Sequence, residues 1–541
     1  MRNLQPKKSP RDQTMISYVV ISSILSMIET QAFLPVARPS FGHHIIEMQT
    51  PLRNSHHDEE ETCDDWRAFR ANLVMGERDG DHTKATTTWT YEQPVLERGS
   101  LLVHHPRSEN SHYGLTDQLQ FLYRSVVMIV ELNPQVTVGL VLNRPTNIAL
   151  PDDFLNVPIM YGGNQFGIHN AHQSQKLYFL HRLENNEDHD CILPGLYLTS
   201  PLEAKCMVDQ GIVNNKDDLL AFCGFVTWNT MKLVGEMDTG EWHIVSVDPS
   251  TLYQEVLSIQ QKDHDDRDVV WSTFMNRIDH NVDDGETSNS FDDRMLHEWM
   301  RIKLSNLHFP EKLSPRAPLE SGMMLRASPD TYILDHQGFH ESLLLLLQVD
   351  DDFAVGVLLN HPTVDSTDNH LGNIPIRYGG HYDMVDTEEE MTPLCLTMLG
   401  ELGYGSERVG QSFWRSNLDQ AEDAIVRQTR QQHDFIVLRG LEIWDSEGGS
   451  NQLLDDYQDG KWDVVESEHL PQVWDMLRSQ HALSPLTMES NIDISHHAWL
   501  LAGGININEK ENTVAATAEL GRDAVKVWVT TTLMDDSEMT P

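Results

Sequence analysis

Residues 138–146 read Val-Gly-Leu-Val-Leu-Asn-Arg-Pro-Thr, and residues 355–363 read Val-Gly-Val-Leu-Leu-Asn-His-Pro-Thr. The two prolines are 217 positions apart (362 − 145), and residues 158–163 (Pro-Ile-Met-Tyr-Gly-Gly) return at the same offset as residues 375–380 (Pro-Ile-Arg-Tyr-Gly-Gly). A fixed offset with the order kept is the signature of an internal repeat. The sequence therefore predicts two tandem copies of one domain.

Short apolar runs just before these motifs predict the first strands of each copy. Ser125–Leu132 and Leu343–Val349 are each followed by chain breakers, Pro134 in the first copy and three consecutive aspartates in the second. Runs of this length between breakers are typical of buried strands. The leucine run alone is compatible with a helix, but its alignment with the first copy favours a strand.

The first copy also carries a family resemblance. An ordered set of motifs supports it: Gly99-Ser-Leu-Leu-Val103, Arg124-Ser-Val-Val127, the run ending at Thr146, Tyr161-Gly-Gly163, Leu180-His181 and Gly240-x-Trp242. As a set, they resemble an AlgH (YqgE-type) domain over residues 99–250, and more weakly over 322–470. The resemblance implies an α+β fold with two tandem AlgH-like domains, each a mixed β-sheet folded into a pseudo-barrel flanked by helices.

Composition shifts and the repeat boundaries divide the chain into six predicted segments. They are a disordered signal plus transit presequence (1–57), an N-terminal helix and linker (58–98), AlgH-like domain 1 (99–250), an acidic linker with a helix (251–320), a diverged AlgH-like domain 2 (321–480) and a C-terminal tail that can form a helix (481–541). Within the second segment, Trp66, Phe69 and Leu73 recur at helical spacing and predict a helix over 64–74.

The first forty residues predict a targeting address. Basic residues precede a 14-residue apolar stretch, Met15–Ile28, which is typical of a signal peptide and short for a membrane span. The following Ala32-Phe33-Leu34-Pro35 resembles the cleavage step of the bipartite plastid presequences of algae with secondary plastids. We expect delivery to the plastid (chloroplast), with the secretory pathway as the alternative, and no membrane segment in the mature form.

The charge of the chain argues against one class of partner. With 39 basic and 83 acidic side chains, the formal net charge is −44. Proteins bind nucleic acid largely by neutralising phosphates with Lys and Arg, so direct nucleic-acid binding is not expected. Only five cysteines are present and no CxxC pair occurs, which excludes a disulfide scaffold.

Four polar side chains of the first copy are the candidate ligand-binding residues: Arg124, Asn143, Arg144 and His181. Two arginines near a strand start and a turn provide the fork geometry that recognises carboxylates and phosphates. The alternative is that the arginines hold backbone carbonyls or a local acid and so fix the turn, with Asn143 as a turn-former.

The second copy departs from the first at these positions. Glu341 occupies the place of Arg124, His361 that of Arg144, and Leu399-Gly400 that of Leu180-His181. The second copy is therefore not expected to perform the role of these polar side chains in the same way as the first copy.

No motif of a known catalytic, cofactor or metal site is present. The sequence contains no GxSxG, no phosphate-binding GxxxxGK[ST] loop and no HExxH. A loop metal site from His104, His105, His112 and Asp117 is one interpretation of that region, and a polar insertion after a strand is the favoured one. Adjacent histidines on a strand point to opposite faces and do not chelate by themselves. No cofactor and no catalytic residue are assigned.

The favoured function is a non-catalytic binding or regulatory module that acts through a protein or small-ligand partner. Bacterial members of the family carry the label of transcriptional regulator, but this chain has no helix-turn-helix signature and no basic face. The alternative is an enzyme of unrecognised chemistry with a site in domain 1 only. A solid core around Arg124, Arg144 and His181 would contradict this alternative. The third hypothesis is a scaffold protein in which the duplication presents two surfaces.

Overall fold

The computed structural model describes the chain from residue 66 to residue 534 with internal gaps. The described residues are 66–79, 88–106, 120–168, 175–183, 190–260, 269–280, 290–305, 316–329, 331–350, 353–367, 373–382, 393–402, 406–445, 451–505 and 516–534. The predicted presequence, residues 1–57, lies outside them, as do His112 and Asp117. None of the helices in these ranges is long and apolar enough to cross a membrane.

The chain separates into two compact units. Unit 1 comprises residues 1–111, 121–288 and 300–309, and unit 2 comprises residues 112–120, 289–299 and 310–541. The two copies of the repeated motif therefore lie in different units. Each unit contains two β-sheets and helices, which confirms an α+β fold with tandem domains.

Unit 1 contains twelve strands within the described ranges. They are β1 (Thr90–Glu92), β2 (Leu101–His104), β3 (Val126–Leu132), β4 (Val136–Val141), β5 (Pro145–Ala149), β6 (Pro158–Tyr161), β7 (Leu177–His181), β8 (Asp190–Leu193), β9 (Leu196–Thr199), β10 (Leu220–Cys223), β11 (Val226–Asn229) and β12 (Trp242–Val247). One sheet has the order β1-β12-β2-β3-β4-β11 and the other β5-β6-β10-β7-β9-β8. The pair β6–β10 is parallel, and the other pairs are antiparallel.

Six α-helices of the described residues accompany these strands. They are α1 (Trp66–Asp79), α2 (Pro201–Asp209), α3 (Thr230–Asp238), α4 (Pro249–Gln260), α5 (Val269–Arg277) and α6 (Phe291–Lys303), the last contributing residues to both units. The helix predicted over 64–74 is confirmed as α1. Its apolar stripe is exposed, with Phe69 67% accessible, whereas Ala71 packs on Trp89 and Tyr91.

Unit 2 repeats this plan with eleven described strands. They are β13 (Met324–Ala327), β14 (Leu343–Val349), β15 (Phe353–Leu358), β16 (Pro362–Ser366), β17 (Pro375–Tyr378), β18 (Leu394–Thr397), β19 (Glu407–Val409), β20 (Phe413–Asn417), β21 (Ile436–Arg439), β22 (Glu442–Asp445) and β23 (Trp462–Val464). The sheet orders are β22-β15-β14-β13-β23 and β16-β17-β21-β18-β20-β19, with β17–β21 parallel. The helices are α7 (Leu418–Val426), α8 (Gln452–Gln458), α9 (Leu470–Leu477), α10 (Met488–Ala502) and α11 (Ala516–Trp528), which ends in a π-helical turn, Val529–Leu533.

The two copies share irregular backbone features as well as regular ones. The pairing of β3 with β4 shifts register between Ile129 and Glu131, and that of β14 with β15 shifts between Leu346 and Gln348. Bulges of this kind are designed features of a fold. Their repetition 217 residues apart supports the duplication independently of the side chains. In each unit the strands form two sheets, and no sheet closes into a barrel within the described ranges.

Helices from the predicted linker and tail belong to the packed cores. Trp271 of α5 is 2% accessible and its indole Nε1 donates to the carbonyl of His104 at 2.8 Å. Trp499 of α10 occupies the matching place in unit 2 and donates to the carbonyl of Ala327 at 2.7 Å. The core of each unit thus continues beyond residue 250 or 480, the predicted ends of the two domains.

Candidate functional site

Asn143 holds the start of β3 in place. It is fully buried, its Oδ1 accepts from the Val126 amide at 3.0 Å, and its Nδ2 donates to the Arg124 carbonyl at 2.9 Å. Arg124 has a left-handed backbone (φ 49°), which non-glycine residues rarely adopt. The asparagine therefore stabilises a strained turn, and both of its amide groups are engaged in doing so.

Asn360 performs the same task in unit 2. It accepts from the Leu343 amide at 3.0 Å and donates to the carbonyl of Glu341 at 3.0 Å, and Glu341 has φ 55°. The residue type at the strained position differs between the copies, but its backbone and its clamp do not. The Asn side chain is thus part of the fold in both copies.

Arg144 is completely buried in unit 1. Its Nε donates to the Phe121 carbonyl at 3.1 Å, its Nη1 donates to the Asn143 carbonyl at 3.1 Å, and its Nη2 donates to the Tyr123 carbonyl. All three guanidinium nitrogens face backbone oxygens, two in the segment before β3 and one in the neighbouring Asn143. This geometry favours the alternative in which the arginine fixes the turn.

The Arg124 side chain lies against aromatic rings. It is 5% accessible, and its guanidinium carbon lies 4.8 Å from the centre of the Trp271 ring. Its backbone amide donates to Nδ1 of His104 at 3.1 Å. Burial lowers the pKa of His104 to about 3, so this imidazole is neutral and can accept.

His181 is not brought together with the other three candidates. It ends β7 in the second sheet of unit 1, is fully buried, and stacks on Tyr197 with ring centres 5.5 Å apart. Its Nδ1 accepts from the Leu183 amide at 3.3 Å. The ligand-binding role of the four candidates therefore stays a prediction. In the structure, their side chains make hydrogen bonds and ring contacts within unit 1.

A cavity lies in unit 2, where the sequence assigned no site. We call it the unit-2 cavity; its volume is about 30 Å³, roughly enough for two water molecules. It is lined by His340, Glu341, Asn360, His361, Pro362, Leu483, Asn491, Ile492, Ser495, His496, Arg522, Val525, Val529 and Leu533. Three of these align with candidates of the first copy, and the others come mainly from α10, α11 and the π-helical turn.

Glu341 is the acidic side chain of the unit-2 cavity, which the basic Arg522 also lines. Its Oε2 lies 2.7 Å from Nδ1 of His496, and its Oε1 lies 4.0 Å from Nε2 of His340. Burial acts to raise the pKa of Glu341, whereas the hydrogen bond from His496 acts to lower it. With the nearby His340 and Arg522 the lowering dominates, so the pKa of this carboxyl lies below its ordinary value and the group is ionised at neutral pH.

His361 and Ser342 form a buried pair beside the cavity, but not an activated nucleophile. His361 Nε2 lies 2.9 Å from the Ser342 hydroxyl and 3.0 Å from the Gly338 carbonyl. The Ser342 hydroxyl donates to that same carbonyl, so its proton is not directed at the imidazole. Burial lowers the pKa of His361 to about 4. A nucleophile needs a base that accepts its proton and access to substrate, and this serine is fully buried.

Sequence reasoning missed this cavity because most of its wall, nine of fourteen lining residues, comes from the predicted tail. The replacement of Arg124 by Glu341 was visible as an asymmetry between the copies. The partner of Glu341, His496, lies 155 residues further on in α10. Only the packing of α10 within unit 2 brings Glu341 and His496 together.

Comparisons with known proteins agree with the motifs. A model of the AlgH-like family (DUF179) matches residues 111–282 and 324–480, together more than half of the chain. A UPF0301 protein of Chlorobium luteolum is 28% identical over 136 residues, which are 24% of this chain and 68% of that protein. One of Myxococcus xanthus is 28% identical over 125 residues, 22% of this chain and 67% of that protein.

Two solved structures also resemble parts of the chain. The AlgH protein from Pseudomonas aeruginosa is 19% identical with a TM-score of 0.23, covering 30% of this chain and 82% of its own. A protein from Corynebacterium diphtheriae is 18% identical with a TM-score of 0.25, covering 34% of this chain and 89% of its own.

Proposed function

The chain belongs to the AlgH-like family, and from this premise we propose that it is a non-catalytic binding module whose ligand site is the unit-2 cavity. One observation carries the proposal. An ionised carboxylate, Glu341, lines a cavity that aliphatic side chains also line. Ligand sites combine an apolar lining with a few placed polar groups in this way.

The lining selects a class of ligand. The apolar side chains Leu483, Ile492 and Val529 suit a short aliphatic body. Glu341 uses one oxygen for His496, and its other oxygen is 4.0 Å from the nearest imidazole nitrogen. A carboxylate oxygen accepts hydrogen bonds, and the negative charge favours a cationic donor. The ligand we propose is therefore a small aliphatic amine.

The polar groups around the cavity are engaged in holding the fold. The Ser495 hydroxyl donates to the Asn360 carbonyl, and Gln480 donates to both of these residues at 2.8 and 3.1 Å. Asn360 clamps the turn at Glu341. These groups can orient a ligand, but none is arranged as a nucleophile with its base.

Ligand-observed NMR on the full chain tests the proposal. Three probes, methylamine, methanol and acetate, each carry one methyl group and differ only in their end group, and methylamine matches the size of the cavity. We expect saturation transfer to methylamine, and at least a tenfold loss of affinity in Glu341→Gln, about 1.4 kcal/mol. Glu407→Gln is the matched control, because Glu407 is an exposed glutamate paired with Arg415. Equal binding of all three probes, or no effect of Glu341→Gln, would refute the proposal.

The enzyme alternative with a site in the first domain gains no support from the geometry. The guanidinium of Arg144 is committed to three carbonyls, and Arg124, Arg144 and His181 are all at most 5% accessible. A substrate would need contact with these groups. We therefore favour binding over catalysis.

We propose that regulation by this chain acts through protein contacts and not through DNA. The net charge of −44 opposes approach to a phosphate backbone. An electrophoretic shift by the full chain whose salt dependence corresponds to several released counterions would contradict this. A pull-down from plastid stroma is the positive test.

Delivery to the plastid is proposed from the presequence pattern alone. A fluorescent protein fused behind residues 1–57 should accumulate in the plastid. Replacing Phe33 by Ala should divert the fusion, because the resemblance places the transit-peptide signal at that residue. Secretion of the unaltered fusion would show that the secretory alternative is correct.

A further inference from the structure

Four ionisable side chains from distant parts of the sequence meet on unit 1. Glu92 ends β1, His243 is the second residue of β12, His280 follows α5, and His105 follows β2. One ligand-type atom from each of Glu92, His243 and His280 lies within 4.8 Å of the others. The ring of His105 lies 4.8 Å from that of His243 and 6.2 Å from that of His280, between centres.

The sheet register explains how two of them come to the same face. Glu92 is paired with Val245 across the β1–β12 ladder, so His243 is its diagonal neighbour two residues away. Residues two apart on a strand share a face. The alternation also separates His104 from His105: His104 is fully buried, whereas His105 is on the side of the cluster.

We propose that Glu92, His243 and His280, with His105 as a fourth ligand, form a binding site for a divalent transition-metal ion of the zinc class. Imidazole nitrogens with one carboxylate are a typical ligand set for such ions. Mg²⁺ and Ca²⁺ prefer oxygen ligands, so they are not expected to compete.

The distances require only small side-chain movements. His243 Nδ1 lies 2.7 Å from Glu92 Oε1, and His280 Nε2 lies 3.6 Å from Glu92 Oε2. Ligand atoms about 2.1 Å from a tetrahedral ion are roughly 3.4 Å from each other. The observed separations bracket that value.

One further contact is that of a prepared site. Nδ1 of His105 lies 3.3 Å from the Gly240 carbonyl, and metal-binding imidazoles are commonly oriented by such a backbone bond from the other ring nitrogen.

A simple surface ion pair between Glu92 and His243 is the competing explanation. It does not account for His280, whose ring centre lies 4.1 Å from that of His243. Protonated imidazoles at this distance would repel each other, whereas neutral imidazoles can share a metal ion. The ion would join β1 to the segment after α5 across 188 residues of sequence (280 − 92), and so would stabilise the folded state of unit 1 by linkage.

Titration calorimetry of the full chain with Zn²⁺ tests the site. The chain has 27 histidines, so variants are needed to identify the binding. His280→Asn and Glu92→Gln remove ligands whose side chains are 40% and 43% accessible, which makes loss of the fold an improbable cause of any effect. His433→Asn is the matched control, since His433 is exposed beside Asp434.

We expect one Zn²⁺ site to weaken at least tenfold in His280→Asn and Glu92→Gln and to be unchanged in His433→Asn. Hydrogen exchange should slow in peptides of β1 and α5 when Zn²⁺ is added to the unaltered chain, and not when Mg²⁺ is added. Zinc binding of unchanged stoichiometry and affinity in both ligand variants would overturn the proposal. So would Zn²⁺ binding that leaves exchange in β1 and α5 as it was.

Discussion

Replacing Arg144 by Met should destabilise unit 1 strongly. The guanidinium is fully buried and donates to the carbonyls of Phe121, Asn143 and Tyr123. Met has a similar length but no donor, so three buried carbonyls would lose a charge-assisted bond. Such bonds contribute about 1.5–3 kcal/mol each, and the effects are not additive. Part of the loss is offset because the guanidinium no longer has to be desolvated. We expect a net loss of about 3–5 kcal/mol, the usual cost of removing one partner from a buried charged network.

The assay must report on each unit separately, because a chain with two units need not unfold in one step. Hydrogen exchange at increasing urea concentrations, read by mass spectrometry, provides this. Peptides from β3 and β4 report on unit 1, and peptides from β14 and β15 serve as an internal reference in the same molecule. Arg144→Lys keeps the charge without the planar fork, so it should recover only part of the loss.

Two results would refute the structural role of Arg144. One is a loss below about 1 kcal/mol in Arg144→Met, because three unmatched buried carbonyls cannot cost so little. The other is full recovery in Arg144→Lys, which would mean that charge and not the directed bonds is what matters. Either result would return Arg144 to the candidate ligand-binding residues.

Three further outcomes follow from the structure. Gly224→Ala should lower the urea midpoint of unit 1 by far more than Gly240→Ala. Both glycines have a positive φ, so the backbone strain is similar. An added Cβ at Gly224 would lie 2.5 Å from the Gly163 oxygen, whereas at Gly240 it would meet no atom within 4 Å. Native alkylation at pH 8 should label Cys206, which is exposed, before Cys223, since burial raises the pKa of the Cys223 thiol to about 12; equal labelling rates would contradict the burial. Burial lowers the pKa of His361 to about 4 from about 6.5. Below pH 6.5 the His361 imidazole binds a proton in the unfolded state but not in the folded state, so the stability of unit 2 should fall between pH 6.5 and 4. His361→Gln should flatten this part of a plot of urea midpoint against pH. An unchanged plot would contradict the assignment.

The sequence predicted the duplication and the strands because both depend on local pattern. The run ending at Thr146 and its copy ending at Thr363 occupy equivalent places, and each threonine hydroxyl donates to the carbonyl of an isoleucine, Ile159 or Ile376. Because the motif side chains make the same hydrogen bonds to backbone carbonyls in both copies, the same residue types recur in the sequence. The predicted pseudo-barrel is, in each unit, a pair of sheets, because sheet closure depends on pairings between strands far apart in sequence.

The extent of each core could not be predicted from local pattern. Trp271 lies between acidic segments, so its surroundings favour a linker, yet it is buried under β2 of unit 1. Trp499 has the same role in unit 2. Membership of a core depends on which distant surface a helix covers. For the same reason, the helical stripe of Trp66, Phe69 and Leu73 predicted α1 correctly but did not reveal that this face is exposed.

The proposed ligand site in unit 2 follows from a physical distinction between backbone and side chain. The left-handed residue before β3 or β14 is kept in both copies, with φ 49° at Arg124 and 55° at Glu341, and the asparagine clamp is kept as well. A clamp made by asparagine leaves the side chain of the left-handed residue free to change without loss of the turn. In unit 1 that side chain lies over the Trp271 ring, and in unit 2 its replacement faces the unit-2 cavity. Duplication with such a clamp therefore permits one copy to keep a filled, stable core while the other acquires a polar cavity. If this is correct, Glu341→Arg should be tolerated by the turn of unit 2 and should abolish methylamine binding, whereas Asn360→Ala should destabilise β14 whichever residue precedes it.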